Sequence, residues 1–179
     1  ITGKNVAGIP VKSLAADQIK ALDAGQLSNF TAAQVASFSK AQLLNLAPDD
    51  ITNLNTSNVA ITSIDSTLFD NLSTAQIKGL STAQIAGLSA GQIAVITADQ
   101  AAAFTAVQAP FFKSLTNFTT GALDTADSNK TIENLNNAFI SAIPSRTFGA
   151  LSSAQLSNFS ADQVAAFNSS QVASLTAGK

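Results

Sequence analysis

Hydrophobic residues recur with a period of eight along most of this 179-residue chain. The clearest stretch, LSTAQIKGLSTAQIAGLSAGQIAVITADQ, covers residues 72–100. We number each eight-residue unit, or octad, from 1 to 8, with Leu72 at position 1. Positions 1 and 6 are then apolar in nearly every octad. The chain contains twelve glutamines, and all of them stand at position 5: Gln18, Gln26, Gln34, Gln42, Gln76, Gln84, Gln92, Gln100, Gln108, Gln155, Gln163 and Gln171.

Degenerate octads extend the repeat beyond the glutamine-containing ones. The register shifts by two residues near residue 61 and is lost between residues 110 and 135. We therefore predict a single repeat array over residues 1–179, with blocks at 6–61, 64–112 and 135–179 and an irregular interruption at 113–134. The degenerate octads begin at Leu46, Leu54, Ile64, Leu135 and Ile143.

The polar positions of the octad predict a short helix. Position 2 is Ser, Thr, Asp or Asn in eleven of the twelve glutamine octads, with Ala15 as the exception, and these residue types cap the first amides of a helix. A glutamine three residues later reaches back to the amide of the cap residue and completes a capping box, while positions 1 and 6 match a hydrophobic staple. Position 8 is often Gly or Asn, as at Gly79 and Asn45, which predicts a left-handed residue that ends the helix.

The geometry of the octad distinguishes short helices from one continuous helix and from a β-strand. In one continuous helix each residue turns by about 100°, so the apolar positions would drift by about 80° per octad and form no stripe. On a β-strand, positions 1 and 6 point to opposite faces, and Ala and Gln are weak strand formers. We predict an all-α solenoid of short capped helices, with a β-solenoid as the alternative.

A single octad is too small to fold alone. Burying its two large side chains gains less free energy than ordering eight residues costs. Octads must therefore stack on their neighbours, and the stack is predicted to have two apolar ends.

The composition excludes several classes of function. Lys and Arg total 9 against 11 Asp and Glu, so the chain offers no basic surface for nucleic acid. It has no histidine and no cysteine, which excludes Ser-His-Asp and Cys-His catalysis and thiolate metal sites. No apolar run reaches the ~18 residues of a membrane span. We predict no enzymatic activity, no cofactor, no metal and no membrane insertion.

Three polar motifs have structural explanations. Asp49 and Asp50 follow Pro48 and are expected at the positive end of a helix. The segment DTADSNK at 124–130 lacks the ligand spacing of an EF-hand and is interpreted as a polar loop. In a secreted chain an Asn-x-Ser/Thr sequon is a glycan acceptor, but Asn at position 8 before an apolar residue and a Ser/Thr cap creates one automatically. The sequons begin at Asn29, Asn55, Asn71, Asn117, Asn129, Asn158 and Asn168.

Most phenylalanines stand at positions 1 and 6 and are predicted to be core residues. Phe111, Phe112 and Phe118 lie where the repeat breaks down. An exposed apolar patch there would be an assembly or contact site, whereas inward packing would plug the array. Both arrangements are compatible with the sequence.

The tandem motif of LSTAQIKGLSTAQIAGL and LSSAQLSNFSADQVAAF resembles octapeptide-repeat tracts of large secreted or surface bacterial proteins, of the adhesin-like and haem-utilisation-like kind. The resemblance covers residues 14–59, 64–112 and 143–179. It implies an extracellular or cell-surface location and a role as a spacer, stalk or fibre. Haem binding is not expected, because the chain has no His, Met, Cys or Tyr as an axial ligand.

The two ends of the sequence complete one octad, so either the chain is an excerpt from a longer array or copies join end to end, and both indicate elongated assembly. The final LTAGK supplies positions 1 to 5 of an octad, and Ile1 can follow as position 6. We therefore expect a structural repeat protein that builds an extracellular fibre or adhesin stalk by end-to-end packing. The alternative is a solenoid binding module in which the surface or segment 113–134 captures a protein or glycan, such as a host or matrix ligand.

Overall fold

The computed structural model describes residue 6 and residues 8–54, 63–113, 115 and 132–176. The register shift near residue 61 and most of the predicted interruption at 113–134 lie outside these residues. The described part is all-helical, without a strand, which confirms the predicted fold class and does not support the β-solenoid.

Its α-helices are α1 (Ala16–Lys20), α2 (Ala24–Leu27), α3 (Ala32–Ala36), α4 (Lys40–Leu44), α5 (Pro48–Asn53), α6 (Ser66–Phe69), α7 (Thr74–Gly79), α8 (Thr82–Gly87), α9 (Ala90–Ala94), α10 (Ala98–Ala103), α11 (Asn137–Ala142), α12 (Ser145–Gly149), α13 (Ser153–Leu156), α14 (Ala161–Ala165) and α15 (Ser169–Thr176). Short 3-10 turns lie at Val11–Ser13 and Ala109–Phe111.

Internal packing divides the chain into two compact units, Ile1–Gln92 and Ile93–Lys179. In the first unit α1 packs on α4, α2 on α5 and α5 on α7. In the second unit α11 packs on α14 and α12 on α15. Each pair is three octads apart, counting the octad that begins at Leu54. Each unit is therefore a solenoid, and the predicted block boundaries stay a prediction.

Positions 1 and 6 of the octad form the core of both units. Position 1 is buried in most described octads, from Leu22 to Phe159. Position 6 is at most 5% exposed in every described octad from Val11 to Phe148, and Phe69 and Phe148 are fully buried there. The core predicted from the octad pattern is thus confirmed over these residues.

Aromatic rings cluster where phenylalanines replace aliphatic residues. In the first unit the rings of Phe30 and Phe38 meet edge to face with centroids 5.7 Å apart. The second unit has two clusters of three rings, whose centroid distances of 4.6–6.0 Å are typical of favourable aromatic pairs. These clusters are Phe104, Phe112 and Phe139, and Phe148, Phe159 and Phe167.

The predicted left-handed helix ends are wrong. Asn45, at position 8, caps α4 with φ −87° and ψ −7°, a right-handed conformation. Its side-chain Nδ2 donates to the carbonyl of Ala41 at 2.8 Å, so the side chain satisfies a terminal carbonyl without reversal of the backbone. The end of α7 has a different conformation. Gly79 is the last helical residue, and Leu80 after it is extended at φ −60° and ψ 126°.

Gly79 is required by a close approach between helices. A Cβ atom at this position would lie 2.5 Å from the carbonyl oxygen of Pro48, in the first turn of α5. The hydroxyl of Thr52 also donates a hydrogen bond to the Gly79 carbonyl. A larger residue would push α5 and α7 apart.

We expect Gly79→Ala to destabilise the protein by about 1–3 kcal/mol, since overpacking forces backbone shifts. Gly91→Ala is the matched control, because its Cβ would meet only ordinary contacts at 4.0 Å inside α9. Alanine should stabilise that helix by about 0.5–1 kcal/mol. Chemical denaturation of both variants measures the difference, and equal effects would contradict the close-approach explanation.

Candidate functional site

All twelve glutamines make the predicted capping contact. In each case the side-chain Oε1 accepts a hydrogen bond from the backbone amide of the position-2 residue, at 2.8–3.0 Å. At Asp23, for example, the carboxylate also accepts the amide of Gln26 at 2.8 Å, which completes the box. Ala15 has no side-chain acceptor, so Gln18 makes only the Oε1 contact.

In most of the octads the other half of the glutamine amide bridges to an earlier turn of the solenoid, a contact that the octad pattern does not predict. Gln76 donates from Nε2 to the carbonyls of Leu43 and Leu46, both at 2.8 Å. This glutamine is 2% exposed. Equivalent Nε2 bonds to earlier carbonyls are made by Gln34, Gln42, Gln84, Gln92, Gln155, Gln163 and Gln171.

Four of the bridging glutamines share one pattern of acceptors. For Gln42, Gln76, Gln163 and Gln171 the acceptors lie 28–33 residues earlier. They include the carbonyl at position 6 of one octad and the carbonyl at position 1 of the next, and Gln163 also donates to the carbonyl of Glu133 at 3.0 Å. Gln34 and Gln155 depart from this pattern, because they donate to the carbonyls of Ile9 and Leu115, 25 and 40 residues earlier. A turn of the coil therefore closes between three and four octads. These amides hold one turn to the next and do not form a ladder open to a ligand.

One octad shows how the bridge is made where glutamine is absent. The octad of Leu135 has Phe139 at position 5, fully buried. There the position-2 residue Asn136 caps α11 with its Oδ1, and its Nδ2 donates to the carbonyls of Ala102 and Phe104 at 3.1 and 2.6 Å. One asparagine thus performs the cap and the bridge together.

The sequon asparagines that are described use their Nδ2 atoms within the fold. Asn29, Asn71 and Asn158, all at position 8, donate to the carbonyl four residues earlier. Asn168 caps α15 and donates to Ser141 at 2.9 Å. Nδ2 is the atom that carries a glycan, so the structure favours the helix-ending role over glycosylation. The sequons at Asn55, Asn117 and Asn129 lie outside the described residues.

Two carboxylates, Asp50 from the pair noted in the sequence and Asp65, accept backbone amides at helix N-termini. Asp50 accepts the backbone amide of Ala47 at 2.8 Å in the first turn of α5, as expected. Asp65 accepts the hydroxyl and the amide of Thr67 at 2.7 and 2.8 Å, and these bonds lower the pKa of Asp65. Among the described residues no three His, Cys, Asp or Glu side chains gather into a metal site. Segment 124–130 lies outside those residues.

The three phenylalanines predicted as contact residues are not equivalent. Phe112 is 2% exposed and packs edge to face on Phe104 and Phe139, so it belongs to the core. Phe111 is 43% exposed, and four residues earlier Val107 is 71% exposed. Phe118 lies outside the described residues. The predicted contact role therefore stays a prediction, with Phe111 as the member on the surface.

A second apolar surface lies on the last octads and was not identified from the sequence. Val164 and Val172 occupy position 6, which is core in the described octads from Val11 to Phe148, yet they are 49% and 47% exposed. Leu156, Phe167 and Leu175, at positions 6, 1 and 1, are only half-buried. We call these five residues the C-terminal face. No later turn within the described part of the chain covers it.

The geometry defines the class of protein: a helical repeat protein whose turns are joined by glutamine amides. The family model of the ALTTAQ repeat matches residues 61–98, 69–106 and 140–177. The first two matches are offset by eight residues, which is one octad. Comparisons with curated proteins and with solved structures found no match. In the described residues no helix has the length and apolar character needed to cross a membrane.

We expect Gln84→Glu to destabilise the protein by about 3 kcal/mol. Gln84 is fully buried and donates from Nε2 to the Ile51 carbonyl at 2.6 Å. The substitution removes that donor and buries a charge beside a carbonyl oxygen.

Gln18→Glu is the matched control, because Gln18 is exposed and uses Oε1 to cap Ala15. A carboxylate keeps that acceptor and suits a helix N-terminus, so the change should stay within about 0.5 kcal/mol. Urea denaturation at neutral pH compares the two variants. Equal losses would show that capping alone, and not the bridge, stabilises the array.

Proposed function

We propose that this chain is a non-catalytic structural repeat protein that builds an extracellular fibre or adhesin stalk by end-to-end packing. The observation that carries the proposal is the C-terminal face. Position-6 side chains from Val11 to Phe148 in the described octads are at most 5% exposed, whereas Val164 and Val172 are about half exposed. Apolar surface of this kind is a site of association.

The way the turns are joined also supports a structural role. Each glutamine amide is used to cap one helix and, in the interior turns, to hold an earlier turn. Stability in such an array is close to a sum of units and of the contacts between neighbouring units. Adding turns therefore extends the array with contacts of the same kind, which suits a spacer or a fibre. The sequence has no histidine or cysteine, which supports the absence of catalysis.

The extracellular or cell-surface location is part of the same proposal. It is supported by the resemblance of the octapeptide motif to secreted and surface repeat tracts. The match to the ALTTAQ repeat supports the repeat architecture and does not bear on location.

We expect the purified chain to form uniform filaments as its concentration rises. Negative-stain electron microscopy over a concentration series, with light scattering of the same samples, measures this. Filaments with a regular axial repeat would support the proposal. Particles that stay dispersed and monomeric over the whole series would contradict it.

A binding module is the second candidate, favoured by the exposed pair Val107 and Phe111. The two side chains stand four residues apart beside the 3-10 turn Ala109–Phe111. Such a pair could anchor a protein or glycan of the host or matrix. Saturable binding to immobilised matrix proteins or glycans that is lost in a Val107→Ser/Phe111→Ser variant would favour this candidate.

A further inference from the structure

We infer that the first unit opens at a defined joint, where α2 and α3 separate from the turn that contains α5 and α6. The joint is the place at which the glutamine bridge between successive turns is missing. Opening of one part of a chain while the rest stays folded is a property of the single molecule. The inference therefore goes beyond the proposed assembly and does not depend on it.

One turn of the coil lacks glutamine at position 5. Helices three octads apart pack on each other, so three octads make about one turn. Three consecutive octads carry Asp50, Asn58 and Leu68 at this position. An ionised carboxylate and a leucine side chain have no hydrogen to donate. Asn58 lies outside the described residues, so Asp50 and Leu68 carry the inference.

The neighbouring glutamines show which carbonyls a bridge from position 50 would reach. Gln42 donates from Nε2 to carbonyls 31 and 28 residues earlier, and Gln171 uses the same two separations. From position 50 these separations lead to the carbonyls of Ile19 and Leu22, at positions 6 and 1. The helix after Leu22 is α2, which packs on α5. These two turns are therefore in contact without an amide at position 50 to join them.

The same reasoning applies to position 68. The two-residue register shift near residue 61 increases the separations to 33 and 30 residues for Gln76, which stands beyond it. From position 68 these separations lead to the carbonyls of Val35 and Phe38, directly after α3. Leu68 supplies no donor for them, so α3 also lacks the bridge.

The later side of the joint is well bonded. Gln76 and Gln84 hold α7 and α8 to the octad that begins at Leu46. The hydroxyl of Thr52, in α5, donates to the carbonyl of Gly79, in α7. Stability in a repeat array is close to a sum of units and of the contacts between them. The turn interface without position-5 amides is therefore the one expected to open first in this unit.

Helix α4 links the two sides of the joint. Its Gln42 donates to the carbonyls of Val11 and Leu14 in the earlier turn, and its Leu43 carbonyl accepts Nε2 of Gln76 from the later turn. Because α4 is bonded in both directions, α2 and α3 are the better reporters of opening.

Amide hydrogen exchange followed by NMR measures the opening. The matched probes are four buried position-6 residues whose backbone amides donate to position-2 carbonyls at 2.9–3.0 Å: Leu27 and Val35 before the joint, and Ile77 and Ile85 after it. We expect Leu27 and Val35 to share one protection factor, about tenfold or more below that of the later pair. Gradual fraying of the chain would instead give Leu27 and Val35 different values.

The variant Asp50→Gln should close the joint. The amide oxygen can keep the bond that Asp50 makes to the amide of Ala47, and the amide nitrogen supplies the missing donor. We expect exchange at Leu27 and Val35 to slow by about fivefold or more, as for one added hydrogen bond. Exchange at the two later probes should stay unchanged.

Asp49→Gln is the matched control, because it removes the same charge from α5 at an exposed site, position 4. Far-UV circular dichroism checks that both variants keep their helices. Equal slowing in the two variants, unchanged rates in Asp50→Gln, or equal protection of all four probes in the wild-type chain would each overturn the inference. Failure of the chain to form filaments would contradict the proposed function and leave the joint standing.

Discussion

The structure depends on the primary amide of glutamine, which is an acceptor and a donor on one planar group. At Gln76 the Oε1 atom caps α7 through Ser73, and Nε2 reaches the carbonyls of Leu43 and Leu46. The side chain that caps a helix therefore also joins that helix to an earlier turn. Helices of four to eight residues are too short to be stable alone, so this coupling lets them persist.

Where position 5 is not glutamine, the capping contact and the bridging contact no longer come from one side chain at that position. Asp50 keeps the cap to Ala47, but an ionised carboxylate has no proton to donate to an earlier turn. Asn136 moves both functions to position 2, which leaves position 5 to the buried ring of Phe139. The array therefore tolerates a change of residue at position 5 where the cap or the bridge is supplied in another way.

The octad pattern predicted the contacts between residues that are close together in the sequence. The capping box links residues three apart, and its geometry is the same in any helix, so position 2 and position 5 were sufficient to predict it. The partners of Nε2 lie 28–33 residues away in the clearest cases, and they depend on the pitch of the coil, which an octad pattern does not specify. The left-handed helix ends were wrong because Asn45 satisfies the Ala41 carbonyl with its side chain. Nor did the pattern distinguish Phe112 from Phe111, since burial there depends on Phe104 and Phe139.

The exposure of Val164 and Val172 follows from the same repeat that buries their equivalents. Position 6 becomes core where a later turn covers it, and no later turn in the described part of the chain covers these two octads. The burial of a side chain in such a fold depends on the neighbouring turns and not on the composition of its own octad.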